Sequence, residues 1–309
     1  MSRDGALVTR QSVAGPSSRR LAFLVVVLVA ALGPASPAEL EAQPSAADRE
    51  LAAAREIYST EGPRAALPRY ERALALYRDA GDRLGEAITL GYIGNCHKRF
   101  GDFERALELL GQALEMKREL GDELEEGKTL SHLGLVYWET GAYDEAIEHF
   151  EGAIEIGRSI GHAQLEGSAL NNLSLVYDEL GDYKRSLEQY RRALELYAET
   201  DFPQGESDTL GNIGGVHLLL GRYREAAAYY ERAYALSEEL GSKPSMSQDL
   251  GNLAICRLGL GEVDAAIETF DRALVLAREA GLAKEEADWL KGKAEAMVRS
   301  GRYDLGLEL

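Results

Sequence analysis

Cysteine is scarce in the 309-residue sequence, which contains only Cys96 and Cys256. Two cysteines cannot supply the set of disulfides that stabilises small exported domains, so that class of protein is excluded. The two residues lie far apart along the chain, and we expect each to be a buried free thiol. Because 45% of the residues are apolar, the chain can build a hydrophobic core without disulfides.

Basic residues are also few. The chain has 34 lysines and arginines against 52 aspartates and glutamates, which gives a formal net charge of -18. A charge of this sign repels phosphate groups, so neither nucleic acid nor an anionic membrane surface is an expected partner.

Long apolar runs are limited to one, "LAFLVVVLVAAL" at Leu21–Leu32, and Arg10, Arg19 and Arg20 are among the residues that precede it. It is shorter than the roughly 20 residues that a membrane-spanning helix needs. Residues 1–42 therefore resemble a signal peptide, with cleavage after Ala38 or Ala42. The alternative is an uncleaved anchor at residues 21–33, which would be the only contact with a membrane. We expect an exported protein, periplasmic or extracellular, unless this segment anchors it.

Signatures of catalysis and of metal binding are missing as well. None of the five histidines belongs to a metal-binding pair such as HExxH; they are His97, His132, His149, His162 and His217. The glycine-rich segment "LGNIGG" at residues 210–215 has neither the preceding strand nor the following lysine of a phosphate-binding loop. We expect no enzymatic activity, no catalytic residue, no metal site and no cofactor.

A period of 40 residues runs from about residue 50 to the end of the chain. Glycine recurs at Gly101, Gly141, Gly181, Gly221, Gly261 and Gly301, and alanine at Ala73, Ala113, Ala153, Ala193, Ala233 and Ala273. So strict a period predicts a repeat architecture, in which each unit packs on its neighbours.

Each unit contains two segments with the apolar spacing of an α-helix. In "RALELLGQALEMKREL", Ala106, Leu110 and Leu114 fall on one helical face. Glycine between the segments can end the first helix, and Asp102 or Asp182 can cap the second. The sequence therefore predicts an all-α fold of stacked helical hairpins.

The residues that recur in each unit resemble the tetratricopeptide repeat (TPR) family. One unit shows the whole pattern: Leu130, Leu133, Gly134, Tyr137, Gly141, Tyr143, Ala146, Phe150 and Ala153. The unit is 40 residues long instead of 34, and the strings "LNNLS", "LGNIG" and "LGNLA" make it most similar to kinesin light chains and spindle-orientation adaptors. The resemblance implies a right-handed α-α superhelix whose first helices line the inner surface.

We assign residues 43–309 to this solenoid, with about six hairpins and a partial seventh. The units fall near residues 47–80, 86–120, 126–160, 166–200, 206–240, 246–280 and 286–309. Prolines flank the second helix of the irregular first unit. The abrupt end at residue 309 leaves three alternatives open, which are a fragment, a chain that continues into another domain, and an end that docks on a partner.

Asparagine occupies one register position in three consecutive units, at Asn172, Asn212 and Asn252, after Tyr92 and His132 in the two units before. In the resembled family this position faces a bound extended peptide. An amide both donates and accepts hydrogen bonds, so a row of amides can bind a peptide backbone whatever its sequence. The alternative is that repeat duplication copied these residues without a binding role. We expect the neighbouring Asn171 to be a close-approach or rim position.

Other inner positions would supply specificity. Near the N-terminal end lies a predicted basic corner of Asn95, Lys98, Arg99 and Lys128, which could take a carboxylate. Further along come Trp138, Glu139, Leu175, Asp178 and Glu179, and then an apolar stretch of Leu218, Leu219, Ile255 and Leu258.

These observations favour a scaffold that binds an extended peptide or protein segment along the inner groove. A second hypothesis makes the array the recognition part of a larger enzyme, such as a caspase-like protease. A third is self-association through the C-terminal end.

Overall fold

The computed structural model describes residues 44–301, and this part contains thirteen α-helices and no strand. They are α1 (Ala46–Thr60), α2 (Pro63–Ala80), α3 (Arg83–Arg99), α4 (Phe103–Leu120), α5 (Glu123–Glu139), α6 (Tyr143–Ser159), α7 (Ala163–Glu179), α8 (Tyr183–Thr200), α9 (Pro203–Leu219), α10 (Tyr223–Glu239), α11 (Lys243–Gly259), α12 (Val263–Glu279) and α13 (Ala283–Arg299). The predicted signal or anchor segment lies outside the described residues, and so does the end of the predicted seventh unit.

Six helical hairpins follow one another, from α1–α2 to α11–α12, and α13 is the first helix of a seventh unit. From the second unit on, the first helices begin three residues before the predicted unit starts, as at residue 83 instead of 86. For α3 and α5 the reason is a helix cap that was not predicted. The carboxylates of Asp82 and Asp122 accept hydrogen bonds from the backbone N–H groups of Gly85 (2.9 Å) and Glu125 (3.0 Å), so the helices start directly after the turn.

Turns between helices follow the predicted chemistry. Gly101 has a φ of 76°, a left-handed conformation that ends α3 at little steric cost. The next residue, Asp102, then accepts a hydrogen bond from the Arg105 N–H (3.4 Å) and caps α4, as predicted. Asp201 is the only non-glycine residue with positive φ in the described chain, at the turn position where the other units carry glycine.

The helices form two layers. Within the described chain, the backbones of first helices in neighbouring units approach each other closely, whereas those of second helices do not. Second helices are connected through long side chains instead, as where Arg272 Nη2 donates to the Tyr234 hydroxyl (3.2 Å). Because the first helices pack side by side and the second helices diverge, the stack is curved, and the first helices lie on its concave side. The first helices α3, α5, α7, α9, α11 and α13 therefore line the inner surface of the superhelix.

The core lies between the layers. The largest fully buried side chains include Tyr70, Phe150, Tyr190 and Phe270 of the second helices. The recurring alanines, such as Ala113 and those in register with it, are 0% exposed and allow the helices to approach closely. Gly134 serves the same purpose, because a Cβ there would lie 2.7 Å from the Phe150 ring.

Cys96 and Cys256 are free and fully buried, as predicted. Burial raises the pKa of the Cys96 thiol to about 11 and that of Cys256 to about 12, so both are protonated at neutral pH. Among the described helices, none combines the length and the apolar character needed to cross a bilayer.

Candidate functional site

A series of cavities follows the inner surface, and we call this series the groove. Its N-terminal part is a cavity of about 380 Å³, the basic pocket, lined by Arg55, Tyr58, Tyr70, Tyr92, Asn95, Lys98, Arg99, His132 and Leu135. A middle pocket of about 290 Å³ shares His132 and Leu135 with it and reaches Asn172 on α7. A small cavity of about 80 Å³ lies beside both.

The largest of these groove cavities, about 780 Å³, lies at the C-terminal part of the groove, and we call it the acidic basin. Five carboxylate side chains line it, from Asp178, Glu179, Asp208, Asp249 and Glu285. None of the described residues that line it is basic. The groove thus changes its charge from one end to the other.

Ten of the residues that the sequence places on the inner surface, namely those of the asparagine register with the basic corner and Trp138, line these cavities. Tyr92, Asn95, Lys98 and Arg99 line the basic pocket, and Lys128 and Asn172 the middle pocket, with His132 in both. Trp138, Asn212 and Asn252 line the acidic basin. The register therefore places them on one surface, while their contact with a ligand stays a prediction.

Aromatic rings and cations form the basic pocket together. Tyr70 and Tyr92 are stacked with centroids 5.2 Å apart, and the Arg55 guanidinium lies 5.7 Å from the centroid of the Tyr92 ring. The sequence analysis missed Arg55, although it occupies the register of Asn95 one unit earlier. The Lys98 ammonium forms an ion pair with Glu139 (3.2 Å), so the protein neutralises part of the predicted basic corner itself.

Lys117, on the second helix α4, is a further cation that the sequence analysis missed. Its side chain is almost fully buried, and Nζ donates to Thr129 Oγ1 (2.8 Å) and to Glu125 Oε2 (3.2 Å). Lys128 also pairs with Glu125, at 2.7 Å. Burial lowers the pKa of Lys117 despite the carboxylate. The two lysines hold the pKa of Glu125 below its usual range, against the opposing effect of burial.

His132 is neutral in this setting. Burial, together with the positive charges of Lys117 and Lys98, lowers its pKa to about 4. With Nδ1 unprotonated, it accepts a hydrogen bond from Asn95 Nδ2 (3.1 Å). This bond connects α3 to α5 at the register where the later units carry asparagine.

Asn171 connects two units, which the expectation of a close-approach or rim position did not anticipate. Asn212 Nδ2 donates to Asn171 Oδ1 (3.2 Å), and the Thr209 hydroxyl lies 3.0 Å from the same oxygen. One N–H of Asn212 is therefore already used within the protein. The three amides are not equivalent, because no such bond holds Asn172 or Asn252 in the described chain.

The floor of the acidic basin is apolar, with Trp138, Leu175, Val216, Leu218 and Leu219 among its lining residues. Ile255 and Leu258 are not among the residues that line the acidic basin. Leu258 is buried in a cluster with Ala266 and Ile267 of α12 and Ala296 of α13. The partly buried Ile255 packs against the core of the last units. Their place in the groove stays a prediction.

Two carboxyl groups of the acidic basin are strongly affected by burial. Asp249 is only 6% exposed, and burial raises its pKa to about 7, against the hydrogen bond that Ser237 Oγ donates to Oδ2 (2.9 Å). Burial also raises the pKa of Asp178, whose Oδ2 accepts a hydrogen bond from the Tyr190 hydroxyl (2.9 Å). The described chain holds no group of three or more His, Cys, Asp or Glu arranged for a metal ion.

The profile of the tetratricopeptide repeat family matches residues 47–119, 125–199 and 205–279, which is more than half of the chain. The protein belongs to this family. Among curated proteins, no sequence matches it significantly.

Solved structures share the fold. BtubC from P. vanneervenii superposes with a TM-score of 0.60 at 22% identity, over 77% of this chain and 93% of its own. The kinesin light chain TPR-like repeats of Podosopora anserina superpose with a TM-score of 0.51 at 17% identity, over 63% of this chain and 96% of their own. A Rap protein complexed with competence and sporulation factor superposes with a TM-score of 0.66 at 17% identity, over 95% of this chain and 85% of its own. The all-α TPR superhelix and its likeness to kinesin light chain repeats are thus confirmed.

Proposed function

We propose that the protein is a non-enzymatic interaction scaffold that binds an extended peptide or protein segment along the groove. The observation that carries the proposal is the row of cavities along one layer of helices, from α1 to α13. A linear ligand can follow this row from unit to unit, whereas a compact small molecule would fill one cavity only. The Rap structure with competence and sporulation factor supports the proposal, since a protein of similar fold there carries a bound factor.

Polar side chains at the repeated register would hold the backbone of the ligand. Asn172 and Asn252 are half-buried at the groove and have their amide groups available, and Asn212 keeps its oxygen and one N–H. A peptide backbone presents N–H and C=O groups in alternation, so amides spaced by one unit can bind it in two or three places.

Peptide display tests this function. The purified protein is panned against a random dodecapeptide library, and the affinity of the enriched peptides is measured by fluorescence polarisation. Changing Asn172, Asn212 and Asn252 together to alanine should weaken binding at least tenfold, about 1.4 kcal/mol, without changing the helix content.

The matched control changes three exposed second-helix residues, Glu148, Glu188 and Glu268, to alanine. These side chains line none of the groove cavities, so binding should stay as in the unmodified protein. Panning that enriches no peptide, or a control variant that binds as poorly as the asparagine variant, would refute groove binding.

A further inference from the structure

Asp249 carries a carboxylate at a register position where no other unit has an acidic residue. Its register carries threonine in three other units, and each hydroxyl lies close to the backbone carbonyl four residues before it. Thr89 lies 2.7 Å from Gly85 O, Thr129 2.7 Å from Glu125 O and Thr209 2.8 Å from Gly205 O. A threonine there satisfies its own hydroxyl, whereas an ionised carboxylate cannot donate and needs a donor from elsewhere.

The chain gives Asp249 little compensation. Oδ2 accepts one hydrogen bond from the Ser237 hydroxyl, whose oxygen also lies 3.0 Å from that of Ser207. Oδ1 lies over the surface of Gly211, 3.6 Å from where a Cβ of that residue would be. Among the described residues, neither oxygen has a basic partner, although Asp249 is only 6% exposed. A buried carboxylate without a cation is costly, and such groups concentrate at functional sites.

The other carboxylates of the basin share this lack of cations. Oδ1 of Asp178 is buried and accepts no hydrogen bond of good geometry within the described chain, although the Ser186 hydroxyl nearby opposes the rise in the pKa of Asp178. Asp208 accepts a hydrogen bond from Gln204 Nε2 at Oδ1 (2.9 Å) and forms no ion pair with any residue that the structure describes. Three helices, α7, α9 and α11, thus direct uncompensated carboxylates into one cavity that has an apolar floor.

We propose that the acidic basin binds a cationic side chain, lysine or arginine, of the peptide that the groove carries. The ammonium or guanidinium group lies among Asp178, Asp208 and Asp249, where charge-assisted hydrogen bonds are strongest. The aliphatic stem packs on Leu218 and Leu219, the second of which is 68% exposed in the free protein. This inference rests on the proposed function, because the cation arrives as part of a peptide.

The repeat register also predicts how far apart a basic and an acidic residue of the bound peptide would lie. Lys98, Arg99 and Lys128 at the N-terminal end are replaced two units later, in the same register, by Asp178, Glu179 and Asp208. Neighbouring first helices pack about 10 Å apart, so the two charged regions lie about 20 Å apart. Lys98 and Lys128 already form ion pairs, whereas Arg99 forms none within the described chain. An extended peptide covers about 3.3 Å per residue, so a ligand that reaches both Arg99 and the basin carries an acidic residue about six positions from its basic one.

Two defined peptide libraries test the cation site. Both consist of acetylated, amidated nonapeptides with uncharged residues at random positions, and position 5 is lysine in one and glutamine in the other. The lysine library should bind the unmodified protein at least tenfold more tightly. Changing Asp178, Asp208 and Asp249 together to asparagine should remove this difference and leave the affinity of the glutamine library within twofold.

The control variant changes Glu148, Glu188 and Glu268 to glutamine, which removes the same charge from the outer layer and should keep the tenfold preference. Equal binding of both libraries to the unmodified protein would overturn the cation site while leaving groove binding intact. A preference that survives the aspartate changes would equally overturn it. Failure of both libraries to bind would refute the proposed function itself.

The spacing is tested with lysine and aspartate placed at positions 2 and 8, in both orders, and with the same pair at positions 4 and 6. One order of the wide pair should bind at least threefold more tightly than the lysine library, and the narrow pair should not. Equal affinities for wide and narrow pairs would restrict the inference to the basin.

Discussion

The two ends of the groove differ in how the protein compensates their charges. In the N-terminal part, Lys98 pairs with Glu139, and Lys117 and Lys128 share Glu125. In the acidic basin, by contrast, no described lining residue is basic. The pKa values follow this difference, because that of Glu125 is lowered whereas that of Asp249 is raised to about 7.

The difference separates charges that ion pairs compensate within the fold from charges that the described chain leaves without a cation. Glu125 compensates a lysine that the fold has buried, so its removal costs stability. Asp249 is itself the buried charge, and its ionised form lowers stability unless a cation arrives. One solenoid built from copies of one unit therefore uses carboxylates in two opposite ways.

The largest expected effect is a gain in stability when Asp249 is changed to threonine, the residue that three other units use. A pKa of about 7 in the folded state, against 3.8 as the ordinary value, means that ionisation opposes folding. The penalty grows from pH 3.8 to pH 7 and is constant above, up to about 4 kcal/mol. Asp249→Thr should therefore stabilise the protein more at about pH 8 than at about pH 5.5, by roughly 2 kcal/mol.

Urea unfolding of both proteins at these two pH values measures the gain. Asp208, whose charge also raises the pKa of Asp249, stays in place in both proteins, so its own titration largely cancels. A variant that is less stable than the original at the higher pH would show that the carboxylate of Asp249 is compensated after all, and the two ends of the groove would then be alike.

A loss of about 2 kcal/mol is expected for Glu125→Gln at neutral pH, because the buried Lys117 then lacks its carboxylate. The pKa of Glu125 is lowered in the folded state, so its contribution is present above the ordinary value of 4.5 and disappears as the pH falls through the folded-state value. The control is Glu115→Gln on the exposed side of α4. If both variants unfold at the same urea concentration, the ion pairs of Glu125 contribute nothing to the free energy of unfolding.

The sequence predicted the fold well because the repeat is strict. A 40-residue period determines helices, turns and the inner surface together, and ten groove residues could be placed by register alone. Asp102 was recognised as a helix cap, whereas Asp82 and Asp122 were not assigned to the starts of α3 and α5, and the predicted unit starts were therefore three residues late.

Which charged side chains form ion pairs, and which lack one, was harder to predict from the sequence. The ion pair between Lys98 and Glu139 joins residues of neighbouring units. Lys117 lies on a second helix, and the repeat register did not predict that its side chain would reach the layer of first helices. Asp249 could have been found, since it is the only acidic residue at a register position that carries Thr89, Thr129, Ala169, Thr209 and Trp289 in the other units from the second on. Its burial and the lack of a cation, however, depend on side chains from three helices and emerge only in the folded chain.

The smallest effect concerns the two neighbouring asparagines at the border between the two regions. Asn171 accepts a hydrogen bond from Asn212 and thereby connects α7 to α9, so Asn171→Ala should lower the free energy of unfolding by about 1 kcal/mol. Asn172 has no such bond, and Asn172→Ala should change stability by less than about 0.5 kcal/mol while weakening peptide binding. Thermal unfolding and fluorescence polarisation on the same two variants separate the roles. If Asn172→Ala were the more destabilising change, its amide would belong to the contacts between units, and the row of amides offered to a ligand would lose its first member.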